Sequence, residues 1–261
     1  MRFVVFILCL IPCFVAQATA ENTDAPLTIA AQETPGLLME GADLPYNRLL
    51  AAFLEGTPVP YSIKIYPGQR GVMQWAREES HCLFGNITLP GHKRIPHSVL
   101  SEQEFTNLIF AGPFNTVSVH MFGLHAAPPI DARAIGGALV GVDTIAHTDT
   151  NLYAPSLRRL KYLKVDSALE AFRLLEQGRV SMVMAYGIDA AFALRTISAR
   201  SQIRYNRDAP ILSFEENLAC WRTPQTEPLI RHVQRRIDKL RQSGELAKLI
   251  PTADLKAQQT P

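Results

Sequence analysis

The chain contains seven histidines, the residues best suited to metal binding or to acid–base catalysis near neutral pH. None of them forms an HExxH pair or a similar metal-binding pattern. His92 and His97 are five residues apart in a loop-like stretch, where a zinc site would still lack further ligands. The sequence also lacks the GxSxG, GxGxxG and GxxxxGK(S/T) patterns of hydrolases, dinucleotide-binding turns and phosphate-binding loops. These observations favour binding over catalysis, and we expect no metal, no cofactor and no enzymatic activity.

The first twenty residues have the pattern of a secretory signal. Arg2 gives a positive start, an uncharged apolar run covers residues 3–16, and the small residues Ala18 and Ala20 occupy the −3 and −1 positions of a cleavage site. The alternative is an uncleaved membrane anchor, but the run is short for a bilayer span, which needs about 20 apolar residues. We therefore expect cleavage after Ala20 and a soluble, exported chain.

Removal of the signal would leave two of the four cysteines, Cys82 and Cys220. Cys82 lies in an apolar, strand-like stretch, which makes it a poor candidate for a nucleophile. In an oxidising compartment two cysteines allow one disulfide. Their number alone is equally compatible with two buried thiols that never meet.

The composition is that of an ordinary globular protein, with 261 residues of which 47% are hydrophobic and 19% are charged. This composition excludes a disordered chain. The formal net charge of +2 gives no electrostatic reason to expect nucleic acid or an anionic membrane as a partner. The length suits one large domain or two lobes.

Strand-like and helix-like segments alternate along the chain. Alternating apolar residues predict strands, and apolar residues at helical spacing predict helices. The predicted order is a strand at 27–31, a helix at 49–54, a strand at 61–66, a helix at 72–76 and a strand at 82–84. This order is typical of a parallel sheet flanked by helices.

A second α/β unit follows the first. Its predicted elements, together with the closing segment, are a strand at 138–142, a helix at 168–177, a strand at 180–184, a helix at 188–194, a strand at 217–221 and a helix at 229–240. Ser167 and Glu170 predict a capping box at the start of the first of these helices. The last helix is rich in basic residues, and we interpret its charged side as a solvated face. Because ligands of open sheets bind beyond the carboxyl ends of the strands, two facing units predict a cleft between two lobes.

Three stretches resemble segments of a known family. Residues 168–180 (ALEAFRLLEQGRV) are similar to a helix-and-strand segment that ends in G-R-V-D-A in the family, and residues 85–92 (GNITLPGH) fall where the family has G-x-T-x-T-P-E-R. Residues 240–250 (LRQSGELAKLI) resemble the family's C-terminal segment. In this order and spacing, the chain resembles a periplasmic solute-binding protein of the class that serves amino-acid-type ABC transporters.

The resemblance implies a two-lobed α/β fold of the periplasmic-binding-protein type, with a mostly parallel sheet and flanking helices in each lobe. Lobe one would comprise residues 21–112 plus 213–261, and lobe two would comprise residues 113–212. It also implies that the Cys220 strand lies beside the Cys82 strand, which favours a disulfide between them. The implied function is that of a monomeric periplasmic receptor. It would capture a small polar solute by closing two lobes and deliver the solute to an inner-membrane ABC permease.

Amino-acid binders of this family hold the ligand carboxylate with an arginine in the T-P-E-R loop and the ligand ammonium with an aspartate after a lobe-two strand. In this chain His92 and Tyr186 occupy those positions, and Ser181 replaces an aspartate of the strand. A buried ligand charge without a partner costs several kcal/mol, on the order of half the binding energy at micromolar affinity. We therefore expect a ligand other than a standard zwitterionic amino acid.

Other side chains would replace the missing anchors. Arg94 in the same loop or Arg70 at the cleft rim would supply a positive charge, and the turn at 144–148 would offer hydroxyls and N–H groups to an anion. Glu33 would accept from an amine. The full set of candidate ligand-binding residues is Glu33, Arg70, Asn86, Thr88, His92, Arg94, Thr148 and Tyr186. The alternative interpretation is that these are surface, ion-pairing or packing residues.

Two other functions are compatible with the same resemblance. The missing anchors suggest an accessory or sensory protein that kept the fold and acts through a protein partner. Some relatives of this fold are periplasmic dehydratases of cyclic acids, for which His92 or Glu33 would have to act as the general acid or base.

Overall fold

The computed structural model describes residues 25–95, 98–126, 138–143, 157 and 160–250. The predicted signal at 1–20, the predicted turn at 144–148 with Thr148, and His97 lie outside the described residues. Within the described ranges, no helix combines the length and the apolar character needed to cross a bilayer.

The first half of the fold is the predicted alternation of strands and helices. Strands β1 (Leu27–Gln32), β2 (Tyr61–Tyr66) and β3 (Cys82–Thr88) lie parallel in the order β2-β1-β3, and helices α1 (Pro45–Leu54) and α2 (Arg70–Ala76) connect them. Ile29 of β1 joins the core on the α1 side, whereas its neighbour Ala30 joins Trp75 on the α2 side. Successive strand residues point to opposite faces, so β1 is buried on both faces, whereas the edge strand β2 is largely exposed.

Two long antiparallel strands, β4 (Leu108–Leu124) and β9 (Leu212–Trp221), connect the two halves of the sheet. A short helix, α3 (Glu102–Thr106), precedes β4. β9 pairs with β3 of the first half, and β4 pairs with β7 of the second half. The sequence predicted only the end of β9, at 217–221, and did not predict β4.

The second half of the sheet contains β5 (Leu139–Asp143), β6 (Lys161–Val165), β7 (Met182–Tyr186) and β8 (Ile203–Tyr205), with helices α4 (Ala168–Glu176) and α5 (Gly187–Ala193). β5 lies parallel to both β6 and β7, as the alternation predicted. The strand predicted at 180–184 begins and ends two residues later. The capping box at α4 is only half formed. The Ser167 hydroxyl accepts from the Glu170 N–H, but the Glu170 carboxylate accepts from the N–H of Asp166.

The chain returns to the first half with helices α6 (Thr226–Gln242) and α7 (Glu245–Leu249). The apolar face of α6 joins the core formed by α1, β1 and β3. In the second half, Phe122 of β4 and Phe172 of α4 are fully buried and meet edge to face.

Cys82 of β3 and Cys220 of β9 lie directly opposite each other and form a disulfide with an S–S distance of 2.03 Å. The predicted pairing is therefore confirmed. The second half of the fold lies between the two cysteines in sequence. The disulfide therefore links β3, before the chain leaves the first half, to β9, where the chain returns to it.

Candidate functional site

The two halves of the fold touch where the strands of the first half end. The end of β3 and the loop behind it provide Ile87, Leu89 and Ile95, and these side chains join a core cluster with Tyr186 and Phe214 from β7 and β9. Such a boundary, at the carboxyl ends of strands from two sheet halves, is where open α/β folds bind ligands.

The loop behind β1 forms the second contact between the halves. Gly36 in this loop has a left-handed φ of +78°, and a Cβ at this position would lie 2.4 Å from Cδ1 of Phe192 in α5. Ile188 and Phe192 of α5 both pack against the core of the first half. The Arg195 guanidinium carbon lies 4.6 Å from the centre of the Phe192 ring. Glycine is therefore required at position 36 both by its conformation and by the close approach of Phe192.

A hydrogen-bonded cluster around Asn217 of β9 lies beside the first of these contacts. The Asn217 Nδ2 group donates to the Thr88 hydroxyl at 3.0 Å and to the Glu215 carbonyl at 3.1 Å. Because a carbonyl can only accept, this pair of bonds fixes the orientation of the Asn217 amide. The Asn217 Oδ1 atom must then accept from Nε2 of His92, 2.9 Å away.

His92 is half-buried and is held through one ring nitrogen, one ring face and its backbone N–H. Its ring stacks on Phe110 with centroids 5.3 Å apart and an angle of 13° between the rings. The Glu215 carboxylate accepts from the backbone N–H groups of Gly91, at 2.9 Å, and of His92, at 3.4 Å. His92 itself adopts a left-handed φ of 54°, which is uncommon for a residue with a side chain. The loop is thus built to hold this imidazole in one orientation.

A buried carboxyl group lies where β4 and β9 cross from one half to the other. Glu216 of β9 is only 7% exposed, and its Oε2 atom accepts from the Tyr46 hydroxyl at 2.5 Å and from Asn115 Nδ2 at 2.6 Å. Burial raises the pKa of Glu216 to about 7, although the two hydrogen bonds act in the opposite direction. Burial and the neighbouring Glu216 also raise the pKa of Tyr46 well above its ordinary value. The cluster joins α1, β4 and β9 at the crossing.

The structure brings some of the predicted site residues together and keeps others apart. Thr88 and His92 meet at Asn217, and Asn86 lies directly opposite Asn217 in the β3–β9 pairing. Arg94, by contrast, donates from Nε and Nη2 to the Leu100 carbonyl, at 2.9 and 2.6 Å. Arg94 therefore holds its own loop.

The remaining predicted residues lie at three strand ends. Glu33 follows β1 and is half-buried, while Arg70 begins α2 after β2 and is exposed. Tyr186 ends β7 in the second half, is 6% exposed and meets the Phe214 ring edge to face at 6.2 Å. Tyr186 therefore packs against Phe214, in keeping with the alternative interpretation given for it. The roles of Glu33, Arg70 and Tyr186 in ligand binding stay predictions.

Several polar residues of this region were not singled out from the sequence. Glu215, Glu216 and Asn217 form a polar run inside the otherwise buried strand β9, and that interruption of an apolar strand was a signal that could have been used. Gln32 closes β1 and gave no signal beyond its position at a strand end. Tyr46 and Asn115 gave none, because their partner Glu216 is 170 and 101 positions away in sequence.

No protein-family model matches the chain, and no curated protein is significantly similar to it in sequence. Its similarity to solved structures is extensive. The ligand-binding core of GluR0 from Nostoc punctiforme, in complex with L-glutamate, has a TM-score of 0.65 at 11% identity, over 86% of this chain and 97% of that one. The chain has the two-lobed fold of periplasmic binding proteins.

Two further structures show the range of proteins that share the fold. The amino acid ABC transporter substrate-binding protein AbpA from Streptococcus pneumoniae, bound to L-arginine, has a TM-score of 0.62 at 15% identity, over 90% of this chain and 97% of that one. A histidine kinase sensor domain with similarity to periplasmic binding proteins has a TM-score of 0.63 at 13% identity, over 88% and 96%. The predicted fold class, a two-lobed α/β architecture, is confirmed.

Proposed function

We propose that this protein is a receptor that binds a small polar solute between its two lobes and does not change it chemically. Lobe one comprises residues 21–112 plus 213–261, and lobe two comprises residues 113–212. One observation carries the proposal. The strand ends of the first lobe face those of the second lobe, and two strands cross from one lobe to the other. The loops behind β1 and β3 contact α5 and the end of β7, while β4 and β9 are the strands that link the halves within the sheet among the described residues.

This arrangement suits closure around a solute. With only two crossing strands, a small change in backbone torsions at the crossing rotates one lobe against the other. A solute that contacts both lobes then favours the closed form by its difference in affinity for the two forms. His92 supports binding over catalysis. Its Nε2 atom already donates to Asn217, so this nitrogen is occupied within the protein.

The proposal includes delivery of the solute to an inner-membrane ABC permease by a monomeric, periplasmic form of the chain. It rests on the pattern of residues 1–20, which is that of a cleavable signal, and on the structural similarity to substrate-binding proteins of amino acid ABC transporters. The solute is polar and small, in keeping with L-glutamate and L-arginine as the ligands of the similar structures.

The test is to identify what the folded protein holds. The full chain is purified without refolding, and small molecules released by acid are identified by mass spectrometry. We expect one polar solute in near-stoichiometric amount, and adding it back at one hundred times its Kd stabilises the protein by about 2.7 kcal/mol. The proposal is contradicted if nothing is released and no member of a broad panel of polar solutes raises the Tm.

A sensory role is the second candidate. The similarity to a histidine kinase sensor domain supports it. Cross-linking in intact cell envelopes separates the two. Capture of permease subunits supports delivery to a transporter, whereas stoichiometric capture of a protein that is not part of a transporter supports the sensory role.

A further inference from the structure

Two side-chain amides at the boundary of the first lobe lack acceptors. The Nε2 atom of Gln32 and the Nδ2 atom of Asn86 are both buried, and neither has a hydrogen-bond partner among the described residues. A buried donor without an acceptor costs about 1–3 kcal/mol, so native proteins rarely contain two of them close together without a purpose.

The two amides belong to one face of the sheet. Gln32 is two residues beyond Ala30, which packs on the α2 side together with Ala219 and Trp221. Asn86 is paired with Asn217, which lies two residues before Ala219 on β9. Residues two apart on a strand, and residues directly opposite across a ladder, share a face. Gln32 and Asn86 therefore lie on the α2 face, on the neighbouring strands β1 and β3.

Both amides also lie near the carboxyl ends of their strands, beside residues that contact the second lobe. Gln32 is the last residue of β1, four positions before Gly36, which lies against Phe192. Asn86 immediately precedes Ile87, which packs into the cluster shared with the second lobe. These strand ends are where the proposed function places the solute.

The other polar groups of this face are already used. Asn217 bonds Thr88 and His92, and the Glu215 carboxylate bonds two backbone N–H groups. Trp75 Nε1 and Ser80 Oγ are also buried without a partner among the described residues, but Gln32 and Asn86 are the amides among these groups and they lie near strand ends. They are uncharged, and Glu33 places a carboxylate at the same strand end as Gln32. A ligand carboxylate buried at these amides would meet no opposite charge and would lose its hydration without a compensating ion pair. A neutral carbonyl carries no such desolvation cost of a charge.

We propose that Gln32 and Asn86 form a two-donor subsite that binds an uncharged carbonyl oxygen of the solute, so that the protein prefers an amide to the matching carboxylate. The inference rests on the proposed function and specifies the chemistry of the ligand. It also explains how binding proceeds without an arginine at position 92.

The test uses three matched pairs as probes: acetamide and acetate, succinamide and succinate, and nicotinamide and nicotinate. Their binding to the full chain is measured by calorimetry, and the side-chain NH₂ signals of Gln32 and Asn86 are followed by ¹⁵N NMR. We expect the amide of at least one pair to bind about tenfold more tightly than its carboxylate and to shift both NH₂ signals. Gln32→Met and Asn86→Leu each weaken amide binding about tenfold, the equivalent of one net hydrogen bond.

Controls keep the outcomes separate. Gln242→Met, at the exposed end of α6, removes a comparable amide and leaves binding unchanged. The NMR readout uses the wild-type chain, so it does not depend on the folding of any variant. Tighter binding of the carboxylates, with loss of that preference in Arg70→Met, would overturn the subsite. No binding by any pair would also overturn it, while the proposed function would stand if acid released a solute of another chemistry.

Discussion

Replacing Glu216 with glutamine is expected to remove a pH dependence of stability that originates at the crossing of the two lobes. In the folded protein the Glu216 carboxyl is buried beside Tyr46 and Asn115, and its pKa is about 7. The unfolded chain exposes the same group to water, where its pKa is close to 4.5. Glutamine has nearly the same shape and keeps an oxygen that accepts from both neighbours, but it does not ionise.

The direction of this pH dependence follows from which state, folded or unfolded, binds the Glu216 proton more tightly. Below about pH 4.5 the carboxyl is protonated in both states, and its contribution to stability is complete. As the pH rises through 4.5 to 7, the unfolded chain loses its proton while the folded protein keeps it, so the free energy of unfolding falls. Above about pH 7 both states are ionised and the loss is complete. The difference between the two pKa values corresponds to about 3 kcal/mol.

The assay is urea unfolding of the wild type and of Glu216→Gln at pH 5, 6, 7 and 8. We expect the stability of the variant relative to the wild type to increase by about 2–3 kcal/mol between pH 5 and pH 8. Glu79→Gln, which removes an exposed carboxylate of the same lobe, serves as the control and shows no such trend. A difference between Glu216→Gln and the wild type that stays constant with pH would refute the reasoning.

Three further predictions follow from the contacts between and within the lobes. Reduction of the Cys82–Cys220 disulfide lowers the free energy of unfolding by up to about 5 kcal/mol, the value that the chain-entropy relation gives for a sequence separation of 138. Equal urea midpoints with and without reductant would contradict this. Gly36→Ala destabilises more than Gly41→Ala, because both glycines have a positive φ but only Gly36 lies against Phe192. Adding Phe192→Ala should abolish the difference in a double-mutant cycle read by Tm. Asn217→Leu removes three side-chain hydrogen bonds, so it lowers the free energy of unfolding by about 2–4 kcal/mol and broadens the His92 ring signals in NMR. An unchanged His92 spectrum would show that the ring is held without Asn217.

The local pattern of the sequence was sufficient for the elements of the first lobe. The helical spacing at 49–54 corresponds to the buried side of α1. The alternation at 27–31 and at 61–66 located β1 and β2 correctly, although Tyr61 and Ile63 of β2 are exposed. β4 could not be predicted in this way. Its burial does not alternate: about every third residue is buried over 108–117, and residues 119–123 are all buried. Gly112 and Pro113 also interrupt its pairing with β9 at the crossing.

The sequence indicated where ligand-binding residues should be sought, but not how the side chains there are engaged. The rule that ligands bind at the carboxyl ends of strands pointed to the boundary between the lobes, and the family resemblance pointed to Asn86 and Thr88, whose roles in ligand binding stay predictions. Neither could show that Arg94 is committed to the Leu100 carbonyl or that His92 is held by Asn217, because such bonds depend on side-chain directions in the folded chain. The Glu216 cluster joins residues from three separate elements. The polar run in β9 indicated Glu216, but nothing in the sequence indicated its partners Tyr46 and Asn115.

The most direct test of the central claim, that two lobes close over a solute, is small-angle X-ray scattering of the full chain with and without the solute that it releases on denaturation. Closure of two lobes around crossing strands makes the molecule more compact, so the radius of gyration is expected to decrease on binding. A bound solute that leaves the scattering profile unchanged would contradict lobe closure.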